Sequence, residues 1–114
     1  MIAQLTGSVT AVGGTWVVLD LSGFGVRALC TPATVASVRM GERATLHTSL
    51  VVREDSFTLY GFADADERDA FELVQSASGI GPKIAQAVVS VLPPDELRVA
   101  ISQGNVAAIT RVPG

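Results

Sequence analysis

Every strand-like segment of this 114-residue chain lies before residue 64, and every longer helical pattern lies after residue 63. Short apolar runs between glycine-containing turns predict strands in the first part, and apolar spacings of three and four residues predict helices in the second. Strands followed by helices are typical of the α+β class. We therefore expect two domains, formed by residues 1–63 and 64–114.

The first part is predicted to form a five-stranded barrel. A short helical turn over residues 32–38, capped by Thr31, separates the third strand from the fourth. This order is typical of a Greek-key barrel of the OB type, and an SH3-like barrel is the alternative. Gly7 interrupts the first strand and indicates a bend or bulge. The predicted strands cover residues 2–12, 16–21, 24–30, 44–52 and 57–62.

The second part contains the stretch Gly79-Ile80-Gly81-Pro82-Lys83 between two predicted helices. Pro82 fits the first position of a helix, and the two glycines allow a tight turn and close approach of bare backbone. Lys83 adds a positive charge beside the unpaired N–H groups of a helix N-terminus, which is an arrangement that binds phosphate. The stretch resembles the helix-hairpin-helix element of DNA-binding proteins. An ordinary helix corner with a glycine cap is the alternative.

A second hairpin of the same kind is predicted to begin at the end of the sequence. Val112-Pro113-Gly114 follows Arg111 and a predicted short helix over residues 106–110. Paired hairpins strengthen the DNA-binding interpretation. Because the helix after the turn is missing, we expect the helical domain to be incomplete at its C-terminus.

Composition limits how such a chain could bind DNA. The formal net charge is −3, whereas proteins that coat DNA carry a basic excess. Contacts must therefore be local, and a single hairpin would bind weakly, which favours several copies in an oligomer. The apolar fraction of 48% is ample for a core. We expect no membrane span and no secretory signal, and Cys30 is predicted to be a small core residue of a protein in a reducing compartment.

No residue pattern predicts catalysis, a metal site or a cofactor. Glu54 and Asp55 would form a solvated hairpin tip or, as the rival interpretation, part of a nuclease metal site. Adjacent acids in a strand point to opposite faces and make a poor shared ligand set. His47 is predicted to be a half-buried sheet residue, and the absence of a phosphate-binding Gly-x-x-x-x-Gly-Lys-Ser/Thr loop means that any ATP hydrolysis must come from a partner.

The aromatic residues Trp16, Tyr60 and Phe62 could stack on bases if they lay on the surface of the barrel. Aromatic residues make up only 5% of the chain. We therefore expect these three side chains to belong to the barrel core instead.

Taken together, the segments resemble the RuvA family, the Holliday-junction-binding subunits of the bacterial branch-migration machine. The similarity covers all 114 residues and keeps order and spacing, so the ensemble is specific although each hairpin alone is not. The segments are Met1-Ile2, Gly23-Phe24-Gly25-Val26, Val51-Val52-Arg53-Glu54-Asp55, Leu59-Tyr60-Gly61-Phe62, Gly79-Ile80-Gly81-Pro82-Lys83, Val106-Ala107-Ala108-Ile109 and Val112-Pro113-Gly114.

The resemblance implies a non-catalytic subunit that binds four-way junction DNA by its structure, as a homotetramer or as two facing tetramers. It implies a cytoplasmic role in recombination, DNA repair and the SOS response. The implied protein partners are the hexameric ATPase RuvB, contacted through a further C-terminal domain, and the junction resolvase RuvC. The alternatives are a fragment of a repair nuclease or glycosylase and a protein-interaction barrel with an incidental hairpin.

The resemblance also implies roles for individual residues. Glu54 and Asp55 match an acidic pin near the tetramer centre, where carboxylates repel phosphates and keep the duplexes apart. Arg53 would offset that repulsion by holding a nearby phosphate. The full set of implied DNA-binding residues is Gly79, Ile80, Gly81, Lys83, Arg53, Arg111, Val112 and Gly114.

Overall fold

The computed structural model describes residues 2–104. The chain divides into two compact units, of which the first ends at Ala65 and the second begins at Asp66. Strands precede the longer helices, which confirms the predicted α+β class. The predicted helix over residues 106–110 lies outside the described residues, as do the site residues Arg111, Val112 and Gly114.

The first unit is a closed five-stranded barrel with strand order β1-β2-β3-β5-β4. All neighbouring strands are antiparallel except β3 and β5, which are parallel. A short helix follows β3, so the predicted OB-type barrel is confirmed. The elements are β1 (Gln4–Val12), β2 (Trp16–Leu21), β3 (Phe24–Cys30), α1 (Pro32–Ala36), β4 (Arg43–Arg53), β5 (Ser56–Phe62), α2 (Ala65–Ser78), α3 (Pro82–Val91) and α4 (Pro94–Ser102).

Alternate side chains of the strands fill the barrel. Cys30 is 2% exposed and its thiol donates to the carbonyl of Ala28 at 3.5 Å, which confirms it as a core residue. Gly61 packs closely beside it, since a Cβ there would come within 3.1 Å of Ala28 Cβ and Leu46 Cδ1. The buried core of the barrel consists of Val9, Val17, Leu19, Ala28, Cys30, Leu46 and Leu59.

Local hydrogen bonds explain why the chain turns where it does. Ser22 and Gly23 connect β2 to β3 with φ of 58° and 95°, and the N–H of Gly23 donates to Asp20 Oδ1 at 2.8 Å. Positive φ at both positions is the two-residue turn that suits the twist of a hairpin. Thr31 caps α1 as predicted, because its hydroxyl oxygen accepts the N–H of Thr34 at 3.3 Å.

The irregularity in β1 lies between Val9 and Ala11 and not at Gly7, where the sequence predicted it. Gly7 pairs regularly with Ala44. Its missing side chain serves a close approach instead, because a Cβ would lie 2.4 Å from the carbonyl oxygen of Asp20 in β2.

The helices of the second unit each bury one face. In α2 and α3 the buried positions recur at the three- and four-residue spacing that the sequence showed. None of the described helices is both long enough and apolar enough to cross a membrane. The buried residues of these helices are Ala70, Phe71, Val74, Ala85, Val88, Val89 and Leu97.

We expect Gly7→Ala to lower the free energy of unfolding by about 1–3 kcal/mol, because the new methyl group meets backbone that cannot rotate away. Gly14→Ala is the matched control. A Cβ at Gly14 meets nothing within 4 Å, so we expect a change within about 0.5 kcal/mol. Urea unfolding would measure both, and equal midpoints for the two variants would contradict the close approach at Gly7.

Candidate nucleic-acid interface

The turn between α2 and α3 is built by its two glycines in different ways. Gly79 has φ of 72°, and its N–H donates to the carbonyl of Gln75 at 3.0 Å, which ends α2. This left-handed conformation favours glycine. Gly81 is extended, with φ of −78° and ψ of 172°, and it caps α3, in which Pro82 takes the first position.

The start of α3 presents backbone donors that the protein does not use. Gly81 has no side chain to accept a hydrogen bond, although its carbonyl accepts the N–H of Ala85 at 3.0 Å. Pro82 has no N–H. The amides of Lys83 and Ile84 therefore have no acceptor within residues 2–104. Unpaired amides at a helix N-terminus attract an anion, an effect of about 0.3–1 kcal/mol per charge at an exposed site.

Lys83 differs from the other cations of the second unit. Arg68 forms an ion pair with Asp69 at 2.8 Å, and Arg98 is paired with Asp66. Lys83 makes no ion pair in the part of the chain that the structure describes. Its charge is therefore available to an anion that comes from outside.

The predicted hairpin residues come together in one exposed turn. Gly79, Gly81 and Lys83 are exposed, whereas Ile80 is half-buried. Among residues 2–104, no group accepts from the amides of Lys83 and Ile84, so a phosphate could bind them without displacing a described partner. Donors of this kind suit a phosphate, and a phosphate contact carries no information about base sequence.

The acidic pair forms the two-residue turn between β4 and β5. Arg53 and Ser56 are the last paired residues, so Glu54 and Asp55 stand at the end of the two-stranded ribbon. Both side chains are exposed, and neither forms an ion pair within the described residues. Two uncompensated negative charges therefore project from this end of the β4–β5 ribbon.

Arg53 stands beside this turn as a cation without an acidic partner in the described structure. The positive charge of Arg53 also acts on the hydroxyl of Tyr60. Burial raises the pKa of the Tyr60 hydroxyl above its usual range, and the Arg53 charge partly offsets that rise. Tyr60 and Arg53 lie on the same face of the β4–β5 ribbon, which explains why the two groups influence each other.

Exposure separates the aromatic residues into two groups. Tyr60 and Phe62 are 3% and 0% exposed and are therefore buried. They do not belong to the barrel core as predicted, because along β5 they alternate with Leu59 and Gly61, which face that core. Trp16 is half-buried and packs over Gly13, where a Cβ would lie 2.3 Å from its ring. The sequence analysis missed Phe57, which is 78% exposed and lies two residues after the acidic turn. In the sequence, the only indication of a functional role for Phe57 is its position close to Glu54 and Asp55.

Two other features do not form a DNA site. A surface hollow of about 370 Å³ on α4 is lined by Asp95, Glu96, Val99, Ala100 and Gln103, and its two acids would repel phosphate. Within residues 2–104 no group of three His, Cys, Asp or Glu side chains is placed to hold a metal ion. His47 is half-buried in β4, as predicted.

We expect Gly81→Ser to raise the free energy of unfolding by a few tenths of a kcal/mol, because its hydroxyl would accept the free amides of α3. Gly79→Ser is the matched comparison and should lower it by about 1–2 kcal/mol, since a side chain there is forced into the left-handed region. Thermal unfolding of both variants would measure this. A loss of stability in Gly81→Ser as large as that in Gly79→Ser would contradict free amides at this turn.

The family model for the RuvA N terminal domain matches residues 1–61 of the chain. Three relatives, each named Holliday junction branch migration complex subunit RuvA, match along all 114 residues. The relative from Cutibacterium acnes is 58% identical, that from Thermobifida fusca 56% and that from Salinispora tropica 55%. The match covers 100% of this chain and 56–57% of each relative, so the chain spans little more than half their length.

Proposed function

This chain belongs to the RuvA family, and from that membership we propose that it binds four-way DNA junctions by their shape, without reading base sequence. The observation that carries the proposal is the exposed turn at residues 79–83, where two free amides and an unpaired lysine face solvent. A partner ATPase could then move the bound junction along DNA of any sequence.

Contacts to phosphate suit this task because they hold a duplex without specifying it. The amides of Lys83 and Ile84 would bind one phosphate, and the Lys83 side chain would bind the same or the next one. Ile80 would keep the turn in place while strands move past it. Arg111, Val112 and Gly114 would begin a second such contact.

Several copies are needed for useful affinity. Each phosphate neutralised adds only about −0.9 to the salt slope of duplex binding, and the net charge of −3 gives no general attraction. A homotetramer, alone or facing a second one, would multiply the contacts on the arms of one junction. In this arrangement residues 1–63 form the tetramer centre and residues 64–114 carry the hairpins.

The acidic turn would lie where the arms meet. A carboxylate and a phosphate about 4 Å apart repel by about 1 kcal/mol in water and by more near protein. Glu54 and Asp55 would therefore keep a continuous duplex from closing over the centre, while Arg53 holds a phosphate beside it. The repulsion would also favour strand separation as the junction migrates.

The remaining parts of the proposal concern the cellular context. The chain would act in the cytoplasm as a non-catalytic subunit in recombination and DNA repair. ATP hydrolysis would come from the hexameric motor RuvB, contacted through residues beyond this sequence, and cleavage from the resolvase RuvC.

We expect the chain to bind a four-way junction more tightly than a linear duplex of the same length in a gel-shift titration. Lys83→Gln should weaken junction binding and reduce the salt slope by about 0.9 for each phosphate that the variant no longer neutralises. Arg98→Gln, which removes a cation already paired with Asp66, is the matched control and should leave the slope unchanged. Equal affinity for junction and duplex would count against the proposed function.

Removing the charges of the acidic turn should strengthen binding to linear duplex. For the double variant Glu54→Gln and Asp55→Asn we expect a gain of about fivefold or more, since about 1 kcal/mol of repulsion is removed per pair. The control is Asp95→Asn with Glu96→Gln, which makes the same charge change at exposed residues of α4. Fluorescence anisotropy would compare them, and an equal gain in both would mean that only net charge matters.

A further inference from the structure

The β4–β5 ribbon carries an apolar pair on the face opposite to Arg53. Val52 and Phe57 are cross-strand partners next to the acidic turn, and they are 56% and 78% exposed. Alternation along β5 places Phe57 on the same face as Leu59, which belongs to the barrel core. The apolar stripe of the core therefore continues past the end of the barrel into solvent.

Phe57 also borders a hollow in the barrel wall. β3 and β5 pair only at Leu29–Tyr60 and Cys30–Gly61. Leu29 and residues that precede these pairs on both strands line a hollow of about 340 Å³, within the range of small-ligand pockets. Its lining consists of Arg27, Leu29, Phe57, Thr58 and Leu59.

The chemistry of this hollow suits a nucleotide. The residues that line it include a phenylalanine, a threonine and an arginine, and no acid is among them. Arg27 is exposed and makes no ion pair within the described residues. Barrels of the OB type bind single strands with stacking aromatics beside cations, on strands 2 and 3 and the β4–β5 loop. The hollow lies between that loop and β3.

We propose that the hollow receives an unpaired nucleotide, with its base stacked on Phe57 and its phosphate held by Arg27. The proposal rests on the proposed function, because branch migration leaves bases transiently unpaired where the arms meet. Asp55 precedes Phe57 by two residues. Carboxylates that push the strands apart therefore stand beside a ring that can stack on a released base.

Binding of a fluorescein-labelled oligothymidylate by the full chain would test the site. We expect Phe57→Ala to weaken this binding about fivefold or more and Phe57→Tyr to retain it, because tyrosine keeps the stacking face. Phe24→Ala is the matched control, since Phe24 is 67% exposed but does not line the hollow. Equal binding by the chain and its Phe57→Ala variant would overturn the proposal.

The salt dependence of oligothymidylate binding distinguishes the role of Arg27 from that of Phe57. Arg27→Gln should reduce the slope by about 0.7, the value for one phosphate of a single strand. Phe57→Ala should lower the affinity at an unchanged slope, because a ring neutralises no charge. A slope that falls equally in both variants would contradict the assigned roles.

A second experiment tests the nucleotide site separately from the proposed function. It also tests whether Phe57 instead packs against another copy of the chain. With four-way junction DNA, Phe57→Ala should still bind the arms and should keep the oligomeric mass of the unaltered chain. Failure of the unaltered chain to prefer a junction, with oligothymidylate binding still dependent on Phe57, would overturn the proposed function alone. A lower oligomeric mass in Phe57→Ala would show that the ring packs against a second copy, and the nucleotide site would be wrong.

Discussion

The candidate phosphate site depends on backbone amides at the start of α3 for which the helix itself has no acceptor. Any α-helix leaves its first N–H groups without partners, and most proteins cover them with a side chain of the capping residue. Here the cap is Gly81, the first helical residue is Pro82, and the amides of Lys83 and Ile84 are left open to solvent. In a chain with a net charge of −3, this fixed local donor set can attract phosphate where the overall field cannot.

The barrel matters because its strands β4 and β5 position the acidic turn of the first unit. β4 is the longest of the described strands, and its pairing with β5 continues to Arg53 and Ser56. Side chains alternate between the two faces of this ribbon, so Arg53 lies on one face and Phe57 on the other. The two acids, Glu54 and Asp55, form the turn that connects the strands. One hairpin thus presents a cation, an aromatic ring and two carboxylates in different directions.

The sequence predicted those features that depend on neighbours along the chain. Period-two patterns and glycine turns indicated the barrel, and Gly79 and Pro82 marked the ends of α2 and α3. It could not predict features set by distant parts of the fold. The role of Gly7 depends on the carbonyl of Asp20 across the sheet, and Phe57 resembles a core residue until β5 is seen to leave the barrel. Lys83 was distinguished from Arg68 and Arg98 only by the ion pairs that those two arginines form.

Attraction of phosphate by the hairpins and its repulsion by the acidic turn would contribute differently to the proposed preference for junctions over linear duplex. The proposed phosphate contacts at the hairpins would be available to a linear duplex and to the arms of a junction alike, so they would raise the affinity for both. The carboxylates of Glu54 and Asp55 would affect only DNA that crosses the proposed centre, which an open junction would leave empty. The difference in free energy between the two substrates would then come mainly from the acids, because specificity depends on what disfavours the wrong partner. An acidic chain is therefore compatible with a DNA-binding role when the task is to recognise shape.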